Sequence, residues 1–376
     1  MKDSEFSPAA SPIRSAIGRR KFIKAGAAVT AAIAAPKAGA AAVPWPDPAQ
    51  QKDLQSWWAA RPASPKANRP VSIDMHTHWL PPTYTKALVE VGKPVARIDP
   101  LEGDIDQRIK WMDEHGVQMH LLALSGDAVW QLVTPEQAAR LAQIVNDAAL
   151  EAHAKYPDRF VAAIELPITD ASLSMKELDR MAGKPGMRAV NLGDTIAGRD
   201  YVFEADFAPV LARCEELGYP LVFHNMNTDP LCKRPAGPGL DAAFTHAVLA
   251  AKFIGTGTLE KYPKLEVVLP HAGGAFPYCA GRVEHFMFHM GANAGKTPPM
   301  TFREYLRRFH YDYLTYHPAG LRFLIDIVGA DRIVVGTDSF NAKDIEYPSA
   351  VVEQFNMPSA DRDRILKGNA ARLLHL

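Results

Sequence analysis

The chain has 376 residues, of which 47% are hydrophobic and 22% are charged, and this is the composition of an ordinary globular protein. It excludes a disordered or collagen-like chain, and with only three cysteines (Cys214, Cys232 and Cys279) it also excludes a disulfide scaffold. Lysine plus arginine and aspartate plus glutamate both number 42, so the balanced charge gives no reason to expect nucleic acid as a partner.

The N-terminal segment has the pattern of an export signal. Seven basic and two acidic residues lie within residues 1–42. The pair Arg19-Arg20 precedes an alanine-rich run, 25–35, which at ~1.5 Å per residue cannot cross a bilayer core of about 30 Å. Two A-x-A cleavage sites follow, ending at Ala40 and Ala42. The segment resembles a twin-arginine signal, so we expect a periplasmic protein that begins near Val43 and has no stable membrane anchor.

Residues 43–70 are rich in proline and contain the pair Trp57-Trp58. This composition predicts an extended N-terminal arm that lies on the surface of the following domain. We expect the two tryptophans to make packing contacts rather than ligand contacts.

From residue 71 onward, short apolar runs alternate with segments of helical periodicity, which predicts a single α/β domain over 71–376. The predicted strands are 71–75, 117–124, 160–166, 188–192, 221–223, 265–269, 311–315 and 332–335. Helical spacing is clearest over 135–156, 206–217, 241–256 and 321–328. Eight strands, each followed by a helix, predict a (β/α)8 TIM barrel. A doubly wound sheet is the alternative, but no strand is followed by the glycine-rich turn that such folds use for dinucleotides.

Polar side chains follow the predicted strands at their carboxyl ends, which is where a TIM barrel places its chemistry. His76 and His78 alternate after strand one and therefore point to the same side. His224, His271 and Asp338 follow strands five, six and eight. Imidazoles and a carboxylate are typical ligands of a divalent metal ion, so this joint pattern predicts a metal site.

Several segments together resemble the amidohydrolase superfamily, and within it the group of aminocarboxymuconate semialdehyde and γ-resorcylate decarboxylases. The resemblance spans roughly residues 71–376, and its most specific part is Pro270-His271-Ala272-Gly273-Gly274 through Gly281-Arg282. The other matching segments are 73–78 with Leu80-Pro81, 111–117, 156–160, 262–265, 336–338 and 368–370.

The resemblance implies a role for each matching residue. His76, His78, His224 and Asp338 would hold one Zn²⁺ ion, with Mn²⁺ as the alternative, and Asp338 would also take part in catalysis. His271 would be the catalytic acid and base. Arg282 would bind a substrate carboxylate from the partner subunit of a homodimer. A second substrate arginine would be Arg97 or Arg108.

Three local features refine this expectation. Strand four carries no lysine, which argues for one metal ion rather than a bridged pair. Asn225 stands where the decarboxylases usually have proline, and 339–341 departs from the usual aromatic-proline sequence after the aspartate. These departures leave the ligand roles intact and bear on the shape of the substrate pocket.

The expected function is therefore metal-dependent, non-oxidative decarboxylation of an aromatic or conjugated dienoic carboxylate. The alternative is a hydrolase or hydratase for a lactone, amide or enol that uses the same site, and a non-catalytic binding barrel is the third hypothesis. Among the other histidines, we expect His115 to cap a helix, His120 to lie in the core, and His285 and His289 to pack. For His317, at the barrel mouth, packing and substrate contact stay open.

Overall fold

The computed structural model describes residues 71–95, 99–226, 238–290, 297–339 and 347–376, which belong to one compact unit, Asp53–Leu376. The predicted signal, 1–42, the predicted arm, 43–70, and Arg97 lie outside the described residues. No helix of the described ranges is long and apolar enough to span a membrane.

Eight parallel strands follow one another around a single sheet in the order of the sequence. The last strand returns to the first, because the Met75 amide donates to the carbonyl of Val335 at 2.9 Å. The sheet is therefore a nearly closed barrel, and the predicted (β/α)8 fold is confirmed. The strands are β1 Ser72–Asp74, β2 Val117–Leu122, β3 Phe160–Glu165, β4 Met187–Gly193, β5 Leu221–His224, β6 Val267–Leu269, β7 Phe309–Asp312 and β8 Ile333–Val334.

Helices cover the outside of the barrel, and many begin with a proline in the first turn or a capping side chain. The longest, α4, begins after Thr134, whose side chain accepts from the Gln137 amide in a capping box. The helices are α1 Pro82–Glu90, α2 Pro100–Gly103, α3 Ile105–His115, α4 Pro135–Lys155, α5 Ala171–Met181, α6 Ala208–Leu217, α7 Pro238–Gly255, α8 Thr258–Lys261, α9 Phe276–Glu284, α10 Phe302–Leu306, α11 Pro318–Val328, α12 Pro348–Glu353, α13 Ser359–Asp363 and α14 Asn369–Leu373.

The core has two parts, one inside the barrel and one between the barrel and the helices. Alternate strand residues such as Met119, Leu121 and Val161 form the inner cluster, and Leu373 and Leu374 at the C-terminus pack against it. The larger outer cluster joins the other strand faces to the buried stripes of the helices. The polar side chains of the candidate site lie outside these two apolar clusters, at the carboxyl ends of the strands.

One strand differs from its prediction in a way that matters for the site. The sequence predicts strand seven over 311–315, whereas β7 runs Phe309–Asp312. The chain leaves the sheet at Asp312 because its carboxylate accepts the amide of Leu314 at 3.1 Å and also binds groups at the barrel mouth. The correction places an aspartate at the carboxyl end of β7, where the prediction had placed it inside a strand.

Candidate metal centre

The four predicted metal ligands converge at the barrel mouth. His76 and His78 follow β1, His224 ends β5, and Asp338 follows β8. One ligand atom from each of the four lies within 4.8 Å of every other. The barrel geometry thus brings together side chains that are up to 262 residues apart in the sequence.

The atoms at the centre of this group fit a divalent ion. Nε2 of His76 and Nε2 of His224 are buried, and no described residue forms a hydrogen bond with either. Nε2 of His78 lies 2.9 Å from Oδ1 of Asp338. Buried nitrogens without partners are costly in a folded protein, and a metal ion would satisfy them. The donor set of imidazoles and one carboxylate is that of a mononuclear site.

Each ligand histidine is held by its other nitrogen. Nδ1 of His76 lies 2.7 Å from Oδ2 of Asp312, and Nδ1 of His78 lies 3.0 Å from Oδ2 of Asp127. Nδ1 of His224 lies 2.8 Å from the carbonyl oxygen of Asn225. Acceptors at Nδ1 fix the proton there and leave Nε2 to face the centre of the site. Asn225, which departs from the decarboxylase pattern, thus contributes to ligand orientation through its backbone.

The charges of the site follow from burial and these contacts. Burial lowers the pKa of His76 and of His224, so both rings are neutral at pH 7. Burial also acts to lower the pKa of His78, but its hydrogen bonds with Asp127 and Asp338 outweigh burial and raise the pKa to about 10. Burial acts to raise the pKa of Asp338, yet its contacts with the histidines, first His271 and then His78, hold it well below its ordinary value.

His271 lies beside the ligand group. Its Nε2 is 3.7 Å from Oδ2 of Asp338. The backbone amides of His271 and Ala272 donate to the Asp312 carboxylate at 2.9 Å and 2.7 Å. Burial acts to lower the pKa of His271, and the neighbouring Asp338 reverses this and raises it. An imidazole with a raised pKa next to a metal site can carry a proton to or from a substrate.

A cavity of about 800 Å³ opens above the ligands. His224, His271 and Asp338 form part of its polar lining, while Pro277, Leu314, Phe323 and Leu324 form apolar parts of its wall. The hydroxyl of Tyr316, which also lines the cavity, donates to Oδ2 of Asp338 at 3.2 Å. A mostly apolar cavity with a few convergent polar groups is the usual form of a small-molecule site.

Arg282 and Arg108, the two predicted arginines that the structure describes, are not among the residues that line this cavity. Arg282 is exposed on α9, with its guanidinium 4.6 Å from the centre of the Phe286 ring. Arg108 is fully buried and donates to the carbonyls of His78, Leu101 and Glu102 at 2.5, 3.1 and 3.3 Å. The structure therefore gives Arg108 a structural role below the loop that follows β1.

The remaining predicted histidines lie away from the ligand group. His115 ends α3 next to a left-handed Gly116, and His120 is buried beside Arg108, as expected for both. The rings of His285 and His289 are 6.0 Å apart on an exposed turn. His317 caps α11, because its Nδ1 accepts the amide of Ala319 at 3.1 Å. Cys214 and Cys279 are free thiols, and Cys232 lies outside the described residues.

Sequence reasoning missed three side chains that support the site, namely Asp312, Asp127 and His246. Asp312 was missed because the prediction placed it inside strand seven instead of at its carboxyl end. His246 lies on the buried face of α7, one turn from Ala242 and Ala250, and its Nε2 is 2.8 Å from Nδ1 of His271. A histidine at an apolar position of a predicted helix was a usable signal, because a buried imidazole needs a partner. Asp127 ends a short 3₁₀ turn after β2, and the sequence gave no signal for it.

Comparison with known proteins identifies the family of this chain. Residues 73–376 match the sequence profile of a family described as amidohydrolase. The 2-amino-3-carboxymuconate-6-semialdehyde decarboxylase of Dictyostelium discoideum is 26% identical, over 82% of this chain and 92% of that protein. A γ-resorcylate decarboxylase of Polaromonas sp. is 30% identical, over 72% of this chain and 87% of that protein.

Solved structures extend the likeness to the fold. A dihydroxybenzoic acid decarboxylase of Polaromonas sp., solved with bound manganese and the inhibitor 2-nitroresorcinol, superposes with a TM-score of 0.70 at 25% identity. The match covers 82% of this chain and 97% of that one. The resemblance to this group of decarboxylases is confirmed, and the chain belongs to the amidohydrolase family.

Proposed function

We propose that the chain is a metal-dependent, non-oxidative carboxy-lyase that acts on an aromatic or conjugated dienoic carboxylate. The observation that carries the proposal is the position of His271, with its Nε2 3.7 Å from the ligand carboxylate of Asp338 and its ring on the wall of the apolar cavity. The decarboxylases among the relatives support the reaction class. Hydrolysis or hydration at the same site is the alternative outcome of the test below.

The chain's residues can perform the proton transfer that decarboxylation needs. The bond between the carboxyl carbon and the adjacent carbon breaks, and its electron pair stays on the adjacent carbon. That carbon takes the proton from Nε2 of His271, and CO₂ leaves. The apolar wall near Phe323 and Leu324 excludes water from a bound ring. A divalent ion held by the four ligands would supply a Lewis acid to orient and polarise the substrate.

A substrate panel tests the reaction class. Metal-loaded protein is incubated with hydroxybenzoates and carboxymuconate semialdehydes, and CO₂ release is measured. We expect at least one substrate to release CO₂, and we expect His271→Asn to lower its kcat by roughly 10²- to 10⁴-fold, the usual contribution of a general acid. Turnover of lactones or amides with no CO₂ from any carboxylate would favour the hydrolase.

Zinc is the proposed ion, with manganese as the alternative, and His76, His78, His224 and Asp338 its proposed ligands. Imidazole-rich, four-coordinate sets favour Zn²⁺, whereas a carboxylate ligand and a related manganese structure support Mn²⁺. Metal analysis of protein purified without added metal distinguishes them. We expect one ion per chain, and an ion content near zero in protein that is fully active would contradict the metal dependence.

The protein is also proposed to be a homodimer in which Arg282 of one subunit reaches the cavity of the other. Leu240, Phe244 and Val248 lie on one face of α7 and are 50%, 47% and 50% exposed. Tyr278 and Phe286, on and just after α9, are 83% and 48% exposed. An apolar face of this extent beside the cavity is typical of an interface between subunits.

A mixed dimer tests this arrangement. Chains with His271→Asn and Arg282→Ala carry different tags and are purified as a heterodimer. If Arg282 acts across the interface, one of the two sites is complete and we expect about half of the wild-type activity. If Arg282 serves its own cavity, neither site is complete and the heterodimer is inactive. A monomer in light scattering would contradict the dimer itself.

The N-terminal segments are proposed to be a twin-arginine signal, 1–42, and a surface arm, 43–70, so that the mature protein works in the periplasm. The support is the Arg19-Arg20 pair ahead of a weak apolar run and the A-x-A sites. We expect Arg19→Lys with Arg20→Lys to leave the protein uncleaved in the cytoplasm. Normal cleavage and periplasmic recovery of that variant would contradict the twin-arginine route.

A further inference from the structure

A row of three side chains begins at His271 and ends at a buried carboxylate. Nδ1 of His271 is 2.8 Å from Nε2 of His246, and Nδ1 of His246 is 2.5 Å from Oδ2 of Asp194. The three residues come from the segment after β6, from α7 and from the segment after β4. Because the three residues lie far apart in the sequence, only the tertiary fold brings their side chains into line.

The row is closed to solvent at its far end. His246 is fully buried and Asp194 is 2% exposed. A buried carboxylate is costly unless it is paired, and His246 provides its partner. The Asp194 amide also donates to the carbonyl of His224 at 3.1 Å, which ties the row to a strand that carries a metal ligand. The rings of His246 and His271 are inclined by only 18°.

The short contact to a carboxylate determines where the protons lie. Oδ2 of Asp194 can only accept a hydrogen bond when it is ionised, so Nδ1 of His246 carries a proton. In the neutral ring, Nε2 of His246 is then an acceptor. Nδ1 of His271 must therefore donate to it, and this leaves the lone pair of the neutral His271 ring on Nε2, the atom that faces Asp338.

We infer that Asp194 and His246 are positioning residues that hold His271 in the Nδ1–H tautomer with Nε2 directed at the metal site. Nδ1 of His271 donates to His246 in both the neutral and the protonated form of the ring, so only Nε2 exchanges a proton with a substrate. The catalytic consequence rests on the proposed function, whereas the tautomer itself does not. The arrangement resembles in principle the carboxylate that orients the histidine of a hydrolytic triad.

The tautomer can be read directly from ¹⁵N NMR spectra of protein labelled in histidine, with His271→Asn used to assign the signal. We expect the neutral ring of His271 to carry its proton on Nδ1 in the wild type. In Asp194→Asn the amide nitrogen can donate to Nδ1 of His246. Nε2 of His246 then carries the proton and donates to Nδ1 of His271, so we expect the proton of the neutral His271 ring on Nε2. A proton on Nε2 of the neutral His271 ring in the wild type would overturn the inference.

Two further variants distinguish a specific effect on His271 from a general effect of misfolding. His246→Gln keeps an acceptor for His271 but breaks the link to Asp194, so adding Asp194→Asn to it should have no further effect on His271. His310→Gln is the matched control, because His310 is also fully buried and paired with a carboxylate, Glu266 at 3.0 Å, away from this row. We expect the His271 signal of the control to be that of the wild type, and a changed signal would mean that the readout reports general perturbation and not the row.

A kinetic experiment tests the catalytic consequence of the tautomer, which depends on the proposed function. We expect Asp194→Asn to lower kcat for CO₂ release by roughly 10- to 100-fold with KM changed by less than about threefold, because the wrong tautomer affects proton transfer more than binding. A raised KM at unchanged kcat would indicate a binding role and contradict the inference. If the wild type releases no CO₂ from any substrate, the proposed reaction fails while the NMR result still decides the tautomer.

Discussion

Three residues at the barrel mouth adopt left-handed backbone conformations that are unfavourable for residues other than glycine. His271, Tyr316 and Asp338 have φ angles of 49°, 53° and 53°. Such left-handed conformations of non-glycine residues cost about 1–3 kcal/mol each and persist where the surrounding structure enforces them. The amide of Asp338 donates to the carbonyl of His76 at 2.9 Å, and Asp312 accepts the amides of the His271 segment. The strain is therefore held by the same contacts that orient the ligands.

Asp312 is the residue on which most of these contacts depend, and its amide variant tests this. Oδ2 accepts from His76 and from the His271 amide, and Oδ1 accepts from the amides of Ala272 and Leu314. An amide nitrogen cannot accept, so Asp312→Asn loses two of the four bonds in either orientation. We expect metal affinity to fall by roughly 10- to 100-fold, measured by competition with a chelator.

The control for that measurement is Asp326→Asn, which removes an exposed carboxylate that, among the described residues, pairs with Arg322 on the same helix. Exposed pairs of this kind contribute little to stability, so its metal affinity should equal that of the wild type. Equal affinity of Asp312→Asn and the wild type would show that the carboxylate does not support the site.

Proton release tests the charges of the ligand group. In the metal-free protein the pKa of His78 is about 10, so this ring is protonated at pH 7, whereas His76 and His224 are neutral and Asp338 is ionised. Metal must therefore displace about one proton, and the affinity should rise about tenfold per pH unit until the pH approaches the pKa of His78. Calorimetry in buffers of different ionisation enthalpy measures the proton count. Binding without proton release would contradict a protonated His78.

The raised pKa of His78 also determines whether the stability of the metal-free protein rises or falls with pH. A group whose pKa is higher in the folded than in the unfolded state stabilises the fold at pH values below its unfolded value, about 6.5. That contribution is lost as the pH rises from there through about 10. For the metal-free protein we expect stability to decline over this interval more steeply in the wild type than in His78→Gln, as measured by thermal unfolding.

At the scale of elements, the strand ends approach one another so closely that glycine is required after β8. A Cβ atom on Gly336 would lie 2.7 Å from the Cβ atoms of both Asp312 and His76. Real Cβ atoms essentially never approach so closely, and Nδ1 of His76, a proposed ligand, lies 2.7 Å from the Asp312 carboxylate. The segment after β8 must therefore pass the end of β7 without a side chain.

Gly336→Ala should consequently displace His76 while the rest of the barrel stays folded. We expect loss of metal binding by at least about tenfold, together with a destabilisation of roughly 1–3 kcal/mol for overpacking. Gly368→Ala is the control, since its nearest contact would be at an ordinary 3.5 Å. Retained metal affinity in Gly336→Ala would mean that the strand ends can separate without cost to the site.

The elements themselves could largely be predicted from the sequence. The alternation of apolar runs and helical patterns predicted all eight strands because nearly every strand residue is buried. The end of β7 could not be placed, because Tyr311, Tyr313 and Leu314 continue the apolar pattern past Asp312 and only tertiary contacts stop the strand there. The proposed ligands were predictable because each ends or follows a strand, whereas His246 comes from a helix and Asp127 from a short 3₁₀ turn.

At the scale of the whole molecule, the barrel brings together four proposed ligands that are far apart in the sequence, so we expect the metal to bind only the folded protein. A ligand that binds only the native protein stabilises it by about 2.7 kcal/mol at a hundredfold excess over its Kd. Removal of metal with a chelator should therefore lower Tm, and readdition should restore it. A Tm that does not respond to either step would contradict a site built from these strands.

The convergence of His76, His78, His224 and Asp338 on one ion is the claim on which the account depends. Anomalous X-ray diffraction from crystals of metal-loaded protein, recorded above and below the zinc and manganese edges, locates the ion and identifies it. The account predicts a single peak per chain, bonded to Nε2 of the three histidines and to the Asp338 carboxylate, with His271 beside it. Two peaks in the barrel mouth, or one peak bonded to other residues while these four remain free, would contradict it.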